Sequence, residues 1–522
     1  MISTTCTSPR AIRRSNLVYQ DTLKYKGIIS VNNNKINFSL DPKGSLDGKY
    51  WSCSGRLDGK NYYGIGQNQE GATFTWTLTL VEEIRDKKKE EKADSLILMP
   101  ETKVLYPFVG YGNESMPVAE KVLFKNATLW TNEADGILKE TDILIDNGKI
   151  VRYGKNLSDA GAKVIDATSK HVTSGVIDEH SHIAISSGVN EGGQESSAEV
   201  RIGDVVNSED VNIYRQLSGG VTSQPAVARF SQSHRRTVSH DQVALGCCAA
   251  GSFNQRCRWQ FIKFALGENV KQVNWGIQGR NRYPQSRMGV EQVYEDYFSR
   301  AQAYISDRKA NPNMRRDLDL EAIAEILQAK RFITCHSYQQ GEINMLMKVA
   351  DKYKFRVNTF THILEGYKVA DKMKAHGVGA STFSDWWAYK YEVIDAIPYN
   401  GAIMNAVGLV VAFNSDDAEM ARRLNQEAGK AVLYGGVPEE EAWKFVTLNP
   451  AKLLHLDSHM GSLKAGKDAD IVLWSDNPLS IYAVAEQTYV DGIKYFDRAE
   501  DKIKQMPPSH RKKCDYYAPW TR

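Results

Sequence analysis

The sequence predicts an α/β fold, a (β/α)8 TIM barrel with a composite β-sandwich, and a small all-β domain ahead of it. Three observations predict it. Strand-like and helix-like runs alternate through the middle of the chain, which is the pattern of a parallel sheet wound with helices. Strands before that region find matching strands only after it, near the far end. Residues 17–82 alternate polar and apolar in short runs broken by Asp-Gly and glycine-rich stretches, as half-buried antiparallel strands do.

The first element is the all-β module at 17–82. Lys35–Leu40, Tyr50–Cys53 and Phe74–Leu80 are its clearest strands, and a meander or sandwich would satisfy them. It shows no acid/base cluster, so it reads as a structural or binding module. Residues 83–118 include the mixed charge run RDKKKEEK at 85–92, which is read as a solvated linker. From 119 to 172 come the strand Val122–Trp130, a hairpin turning at Asn147-Gly148, and the strand Val164–Ala167. These need partners, and Ala469–Trp474 and Thr488–Gly492 supply them. The expectation is a β-sandwich split between 119–172 and 458–497, with the barrel at 173–457 between its halves and a tail at 498–522.

Composition narrows the class. The chain has 522 residues, 42% hydrophobic and 25% charged, with a net charge of +3. That is an ordinary folded protein with no bias toward a polyanion. The seven cysteines show no CxxC spacing, which argues against a zinc finger and a disulfide scaffold. No apolar run is long enough to span a membrane. The N-terminus, MISTTC, carries no apolar stretch after its basic residues, so it does not read as a signal peptide.

The chemistry begins at Val176–Ile183, VIDEHSHI. A short apolar strand runs into His180 and His182, and residues two apart on a strand share a face. Two imidazoles there can hold one metal ion. Further along the alternation, Lys263 stands in FIKF, His336 follows Ile333-Thr334-Cys335, His362 follows Val357–Thr361, and Asp416 follows Phe413-Asn414-Ser415. In a (β/α)8 barrel the reacting groups sit after successive strands on one face, and imidazole and carboxylate suit zinc and related divalent ions. Tyr338, Gln339 and Glu342, just past His336, are candidate substrate contacts or else the first turn of the next helix.

On these residues the chain resembles the amidohydrolase superfamily, in its imidazolonepropionase-like and prolidase-like branch. It is most similar to large amidohydrolase proteins of Bacteroidetes-type bacteria. The resemblance spans about 100–497 and rests on IDEHSHI (177–183), CHSYQQGEI (335–343), THILEGYKVAD (361–371), FNSDDAEMARRL (413–424) and the closing TLNPAKLLHLD and MGSLKAGKDADIVLW. It implies hydrolysis of a C–N bond in a small amide, cyclic amide or dipeptide, with one or two divalent ions, Zn2+ first. It implies His180, His182, His336, His362 and Asp416 as metal ligands, with Asp416 rather than Asp417 as general base. Lys263 matches a lysine that is carboxylated in prolidase-like relatives and bridges two metals. A periplasmic or secreted location, longer relatives with an export signal, and thus a fragment here, are also implied. A homo-oligomer is compatible with it.

One segment stands apart. Residues 225–260 hold five arginines, three cysteines, one aspartate and no glutamate, without periodicity. Codons can be chosen for Ala228–Gly246 that, read one base later, encode HGSANPIGGQSAMIKLRWG, the loop that relatives carry here. The expectation is a pair of compensating frameshifts, and with it a rival reading of the chain as a catalytically impaired scaffold or binding protein of the same fold. A Cys/His site from His234, His240, Cys247, Cys248 and Cys257 is disfavoured. So is nucleic-acid binding through the arginines, which lack interleaved aromatics.

Overall fold

Alternation in the N-terminal region becomes a single antiparallel meander. In this computed structural model, β1 (Ala11–Tyr19), β2 (Leu23–Asn32), β3 (Lys35–Asp41), β4 (Trp51–Asp58), β5 (Asn61–Gln67) and β6 (Thr73–Thr79) pair in sequence order as one six-stranded sheet. The residues described are 11–19, 23–32, 34–41, 51–68, 70–79, 117–186, 194–208, 210–225, 234–239, 243–244, 260–271 and 282–500. The β4–β5 hairpin closes through Gly59-Lys60, with Gly59 at φ +63°, a conformation glycine adopts without strain. Ile36, Phe38 and Cys53 are buried on one face, where Phe38 meets Trp76 edge-on at 4.8 Å. Gly64 lies under that tryptophan, and a Cβ there would fall 2.2 Å from its ring.

The chain divides into units 1–100 and 101–522. The second unit opens with β7 (Val122–Trp130), β8 (Ile137–Asp146), β9 (Lys149–Gly154), β10 (Lys163–Asp166), β11 (His171–Ser174) and β12 (Val176–Ile177). The β8–β9 turn is Asn147-Gly148, both at positive φ (49° and 75°), as a two-residue hairpin of matching twist requires. Then follow β13 (Val221–Gln224), β14 (His234–Ser239), β15 (Val243–Ala244), β16 (Gln260–Ala265), β17 (Arg331–His336), β18 (Val357–Thr361), β19 (Gly379–Thr382) and β20 (Val411–Phe413). The last strands are β21 (Ile471–Trp474), β22 (Ala485–Val490) and β23 (Ile493–Asp497).

Strands from both ends of this unit share one sheet, in the order β23-β22-β21-β11-β7-β8-β9 with β10 beside β7. β11 joins the halves, running parallel to β7 and antiparallel to β21. Its interior holds Val122, Phe124, Ile143, Ile145, Leu473 and Tyr489, all 1% exposed or less.

The intervening α/β region has parallel strands. β12 pairs with β13, and β16, β17, β18, β19 and β20 pair in succession. Ile177, Ile262, Ile333, Val357, Ala380 and Val411 are buried along them, the continuous apolar character of strands covered on both faces. Helices at 287–310, 318–327, 340–353, 370–376, 400–407 and 424–435 intervene. The ends of β20 and β12 meet, since the Asp416 N–H donates to the His180 carbonyl at 3.1 Å.

Between β13 and β16 the backbone departs from the alternation. β15 runs antiparallel to β13, and β14 runs antiparallel to β16, where a parallel strand is expected. The side chains of 226–259, the cysteines at 247, 248 and 257 among them, lie outside the described residues, as do most of the 83–118 linker and the tail beyond 500. Among the described residues no helix is long and apolar enough to cross a membrane.

Trp443 ties the sheet to the α/β region. Fully buried, it packs edge-on between Trp130 and Trp474, both ring centroids at 5.9 Å. Trp443→Ala is expected to destabilise the second unit by about 3–5 kcal/mol through lost burial and a residual cavity. Urea denaturation followed by far-UV circular dichroism checks this, and a cost under ~1 kcal/mol would contradict it.

Candidate metal centre

Three elements bring three metal-type donors together. His180 stands just past β12, His362 directly after β18, and Asp416 just past β20. One ligand atom from each lies within 4.8 Å of the others. His180 and His362 are buried and Asp416 is partly so. Nitrogen and oxygen donors gathered at that spacing are of the types a divalent ion takes.

The remaining residues abut this group. His182 Nε2 is 2.7 Å from Asp416 Oδ1 and 3.4 Å from His180 Nε2. Lys263 lies inside β16 rather than after it, and its Nζ is 2.9 Å from His180 Nε2 with the side chain 1% exposed. His336 ends β17; its ring centroid is 4.9 Å from that of His362, and its Nε2 touches the Asn269 amide. The six residues singled out in the sequence thus form one contiguous cluster.

Burial favours the neutral form of His180 and His362. Burial pulls His362 down to about 3 against the upward pull of Asp416. Burial and then the Lys263 charge hold His180 well below the usual histidine range. For Asp416, burial pushes upward, but its histidine neighbours, the His182 hydrogen bond among them, and the Lys263 charge outweigh it and hold the carboxyl below the usual carboxylate range. Neutral imidazole and carboxylate are the protonation states a metal needs.

The backbone is constrained here as well. His362 has φ 61° and Asp416 φ 50°, a region that costs a non-glycine residue energy and is retained where surroundings over-determine it. Those surroundings include Asp178, which the sequence reading passed over. Asp178 is fully buried, and its carboxylate accepts from the Ser415 N–H at 3.0 Å, the His180 N–H at 3.3 Å and the Ser415 hydroxyl. It fastens the loop of Asp416 to the loop of His180. Glu179 beside it is 2% exposed and accepts from the Thr334 and Thr361 hydroxyls at 3.3–3.4 Å. Burial raises it to about 8.

An aromatic stack was also missed. Phe383 lies parallel to His362 at 4.8 Å and 9°, and Trp386 covers Phe383 at 4.2 Å and 15°. The aromatic run Phe383–Tyr389 after a strand was its available signal. Of the candidate substrate contacts, Tyr338 is 5% exposed with its ring edge-on to His336 at 4.6 Å. Gln339 is the residue before the helix Gln340–Tyr353, and Glu342 lies in that helix's first turn. Glu342 faces Arg287 in an ion pair, and burial lifts its carboxyl to about 7. The structure therefore places Glu342 in a buried ionic cluster, with its carboxylate engaged by protein.

Residues 333–494 match the sequence profile of the Amidohydrolase family. The chain is 27% identical over 447 residues to amidohydrolase tasK of Hapsidospora irregularis, covering 75% of this chain but 44% of that protein. It is 22% identical over 408 residues to an imidazolonepropionase of Photorhabdus laumondii, covering 69% of this chain and 92% of that one. Its fold is similar to the crystal structure of an amidohydrolase from Thermotoga maritima, with 28% identity and a TM-score of 0.66 over 72% of this chain and all of that one. With buried histidines and an aspartate gathered at the ends of parallel strands, and with these likenesses along most of its length, the chain is similar to the amidohydrolase superfamily.

Proposed function

We propose that this chain is a metal-dependent hydrolase that cleaves the C–N bond of a small amide, cyclic amide or dipeptide. The observation that carries the reading is the convergence of His180, His362 and Asp416 within 4.8 Å from three separate strand ends. The parallel strands β12, β13 and β16–β20 are read as seven strands of a (β/α)8 barrel, with the split sheet at 119–172 and 458–497 as its composite partner and 17–82 as a separate all-β module. His180, His182, His336, His362 and Asp416 are assigned as ligands for one or two divalent ions, zinc first. A bound divalent ion supplies Lewis acidity and lowers the pKa of water from 15.7 toward roughly 7.

The chain's own groups then have defined work. Asp416 stays ionised, so it accepts a proton from the attacking water and passes it to the leaving nitrogen. The water oxygen bonds to the acyl carbon, the C–N bond breaks, and the amine leaves protonated. Asp178 holds the Asp416 loop against the His180 loop and so fixes the base relative to the imidazoles. Lys263 is assigned as a carboxylated bridging ligand. Its burial beside His180 supports this, because an ammonium among imidazoles is costly to desolvate and a carbamate would supply an anionic donor. Glu179, the buried acid that also feels the Lys263 charge, supports the simpler alternative of a lysine buried beside an acidic side chain with no carbamate.

A rival reading is an impaired scaffold of the same fold. The antiparallel pairing of β14 and β15, where a parallel strand is expected, favours it, as it favours the frameshift account of 225–260. Resequencing that locus tests the frameshift. A clean read through RFSQSHRR in the flanking frame would remove it.

Purified protein is expected to carry zinc by atomic absorption and to hydrolyse members of a panel of Xaa-Pro dipeptides and N-acyl amino acids. Zinc without turnover would support the rival, and no metal would sink the ligand assignment. In an active preparation, Asp416→Asn is expected to lower kcat by about 10²–10⁴-fold. Asp178→Asn, which touches no assigned metal atom, is expected to weaken metal affinity by about 10–100-fold, read by competition with a chromogenic chelator. Lys263→Ala is expected to lower the zinc stoichiometry, and unchanged stoichiometry would return Lys263 to a structural role.

A further inference from the structure

A cation faces the ligand cluster from the loop after β19. Lys390 Nζ lies 4.1 Å from the centroid of the Tyr338 ring and 5.7 Å from that of Tyr389. Tyr338 in turn sets its edge against His336, so the ammonium stands one aromatic ring away from the ligand imidazoles. Its charge is felt at His362, and it feels that of Asp416. An ammonium resting on an aromatic face is held in place without being neutralised.

Its acidic neighbour does not use up that charge. Glu392 Oε2 is 3.6 Å from Lys390 Nζ. The other oxygen of that carboxylate, Oε1, takes the Glu268 N–H at 2.8 Å and Arg287 at 3.2 Å. Lys390 therefore holds the longest of the three contacts, and its side chain remains 34% exposed. Beside the cluster, Phe383 stacks on His362 and Trp386 stacks on Phe383, which makes that side apolar. A site with an apolar wall and a half-exposed ammonium near the reacting groups suits a ligand with an anionic end. A carboxylate is the anion a small amide most simply carries close to its C–N bond.

We propose that Lys390 anchors a substrate carboxylate, so that the site selects N-acyl amino acids or dipeptides with a free carboxylate over their neutral carboxamides. The assignment rests on the hydrolase reading above and names the substrate class of that same site. Lys390 acts on specificity, and the reacting atoms remain with Asp416 and the metal ligands.

The test compares zinc-loaded wild type, Lys390→Met and Lys390→Arg on matched pairs: N-acetyl amino acids against their carboxamides, and Xaa-Pro against Xaa-prolinamide. The wild type is expected to favour the carboxylate member in kcat/KM. Lys390→Met is expected to shrink that preference by about ten- to a hundredfold, carried by KM, the size of one lost charge-assisted contact. Lys390→Arg is expected to retain most of it. An undiminished preference in Lys390→Met overturns the proposal. A binding arm avoids turnover: N-acetyl-L-phenylalanine is titrated by calorimetry into zinc-loaded Asp416→Asn with and without Lys390→Met, zinc content being checked in each. Binding at least tenfold weaker in the double variant supports the anchor even where no substrate is turned over, which separates its fate from that of the hydrolase reading. Equal binding in the two overturns it.

Discussion

The site depends on one buried carboxylate. Asp178 sits just past the first parallel strand and accepts hydrogen bonds from Ser415, just past the last one. Beside it, the Asp416 N–H reaches the His180 carbonyl. These contacts join loops that lie 237 residues apart in sequence. Desolvation raises the Asp178 carboxyl to about 7, with the Ser415 and His180 donors working against that rise. A group placed at such cost needs all its partners, because a buried acceptor that loses its donors forfeits their stabilisation and still bears the desolvation. The lock is therefore close to all-or-none, and His180, His182 and Asp416 inherit their mutual distances from it.

The second constraint is backbone strain. His362 and Asp416 both sit in the left-handed region, at roughly 1–3 kcal/mol each. At His362 the stacked Phe383, itself covered by Trp386, braces one face of the ring, and His180 meets the ring edge-on at 4.5 Å. Rotation of either donor out of the cluster would have to break packing or hydrogen bonding as well. Rigidity of this kind is what a ligand set needs to meet an ion with little reorganisation.

Much of this was legible in sequence, for reasons that differ by residue. The two-residue period of a strand puts His180 and His182 on one side, and β-then-α alternation places His336, His362 and Asp416 at strand ends. Both signals are local. Asp178 was not legible because an aspartate before a strand end looks like any turn residue until its partner Ser415 arrives from the far end of the fold. Glu342 carried two readings, substrate contact or first helix turn, and it lies in the first turn. Its position after His336 suggested substrate, whereas Arg287, more than fifty residues upstream, claims it. Lys390 sits in a run with no periodicity, and its meaning comes only from Tyr338 on another strand's loop. The split sheet was readable because its strands had no local partners, and the six-stranded meander extends earlier than the expected residue 17, to Ala11.

The distribution of the site over the chain bears on the disputed segment. The assigned ligands come from residues flanking or within β12, β16, β17, β18 and β20, and the aromatic wall and Lys390 from the loop after β19. None lies between 225 and 260. An altered stretch there leaves every assigned ligand in its own frame, packed on its own strand, while it changes the neighbourhood between β13 and β16. Binding a metal and turning over a substrate then draw on different parts of the sequence. Zinc content reports the cradle, turnover reports the cradle plus its walls, and the two can part company in this chain without any change in fold.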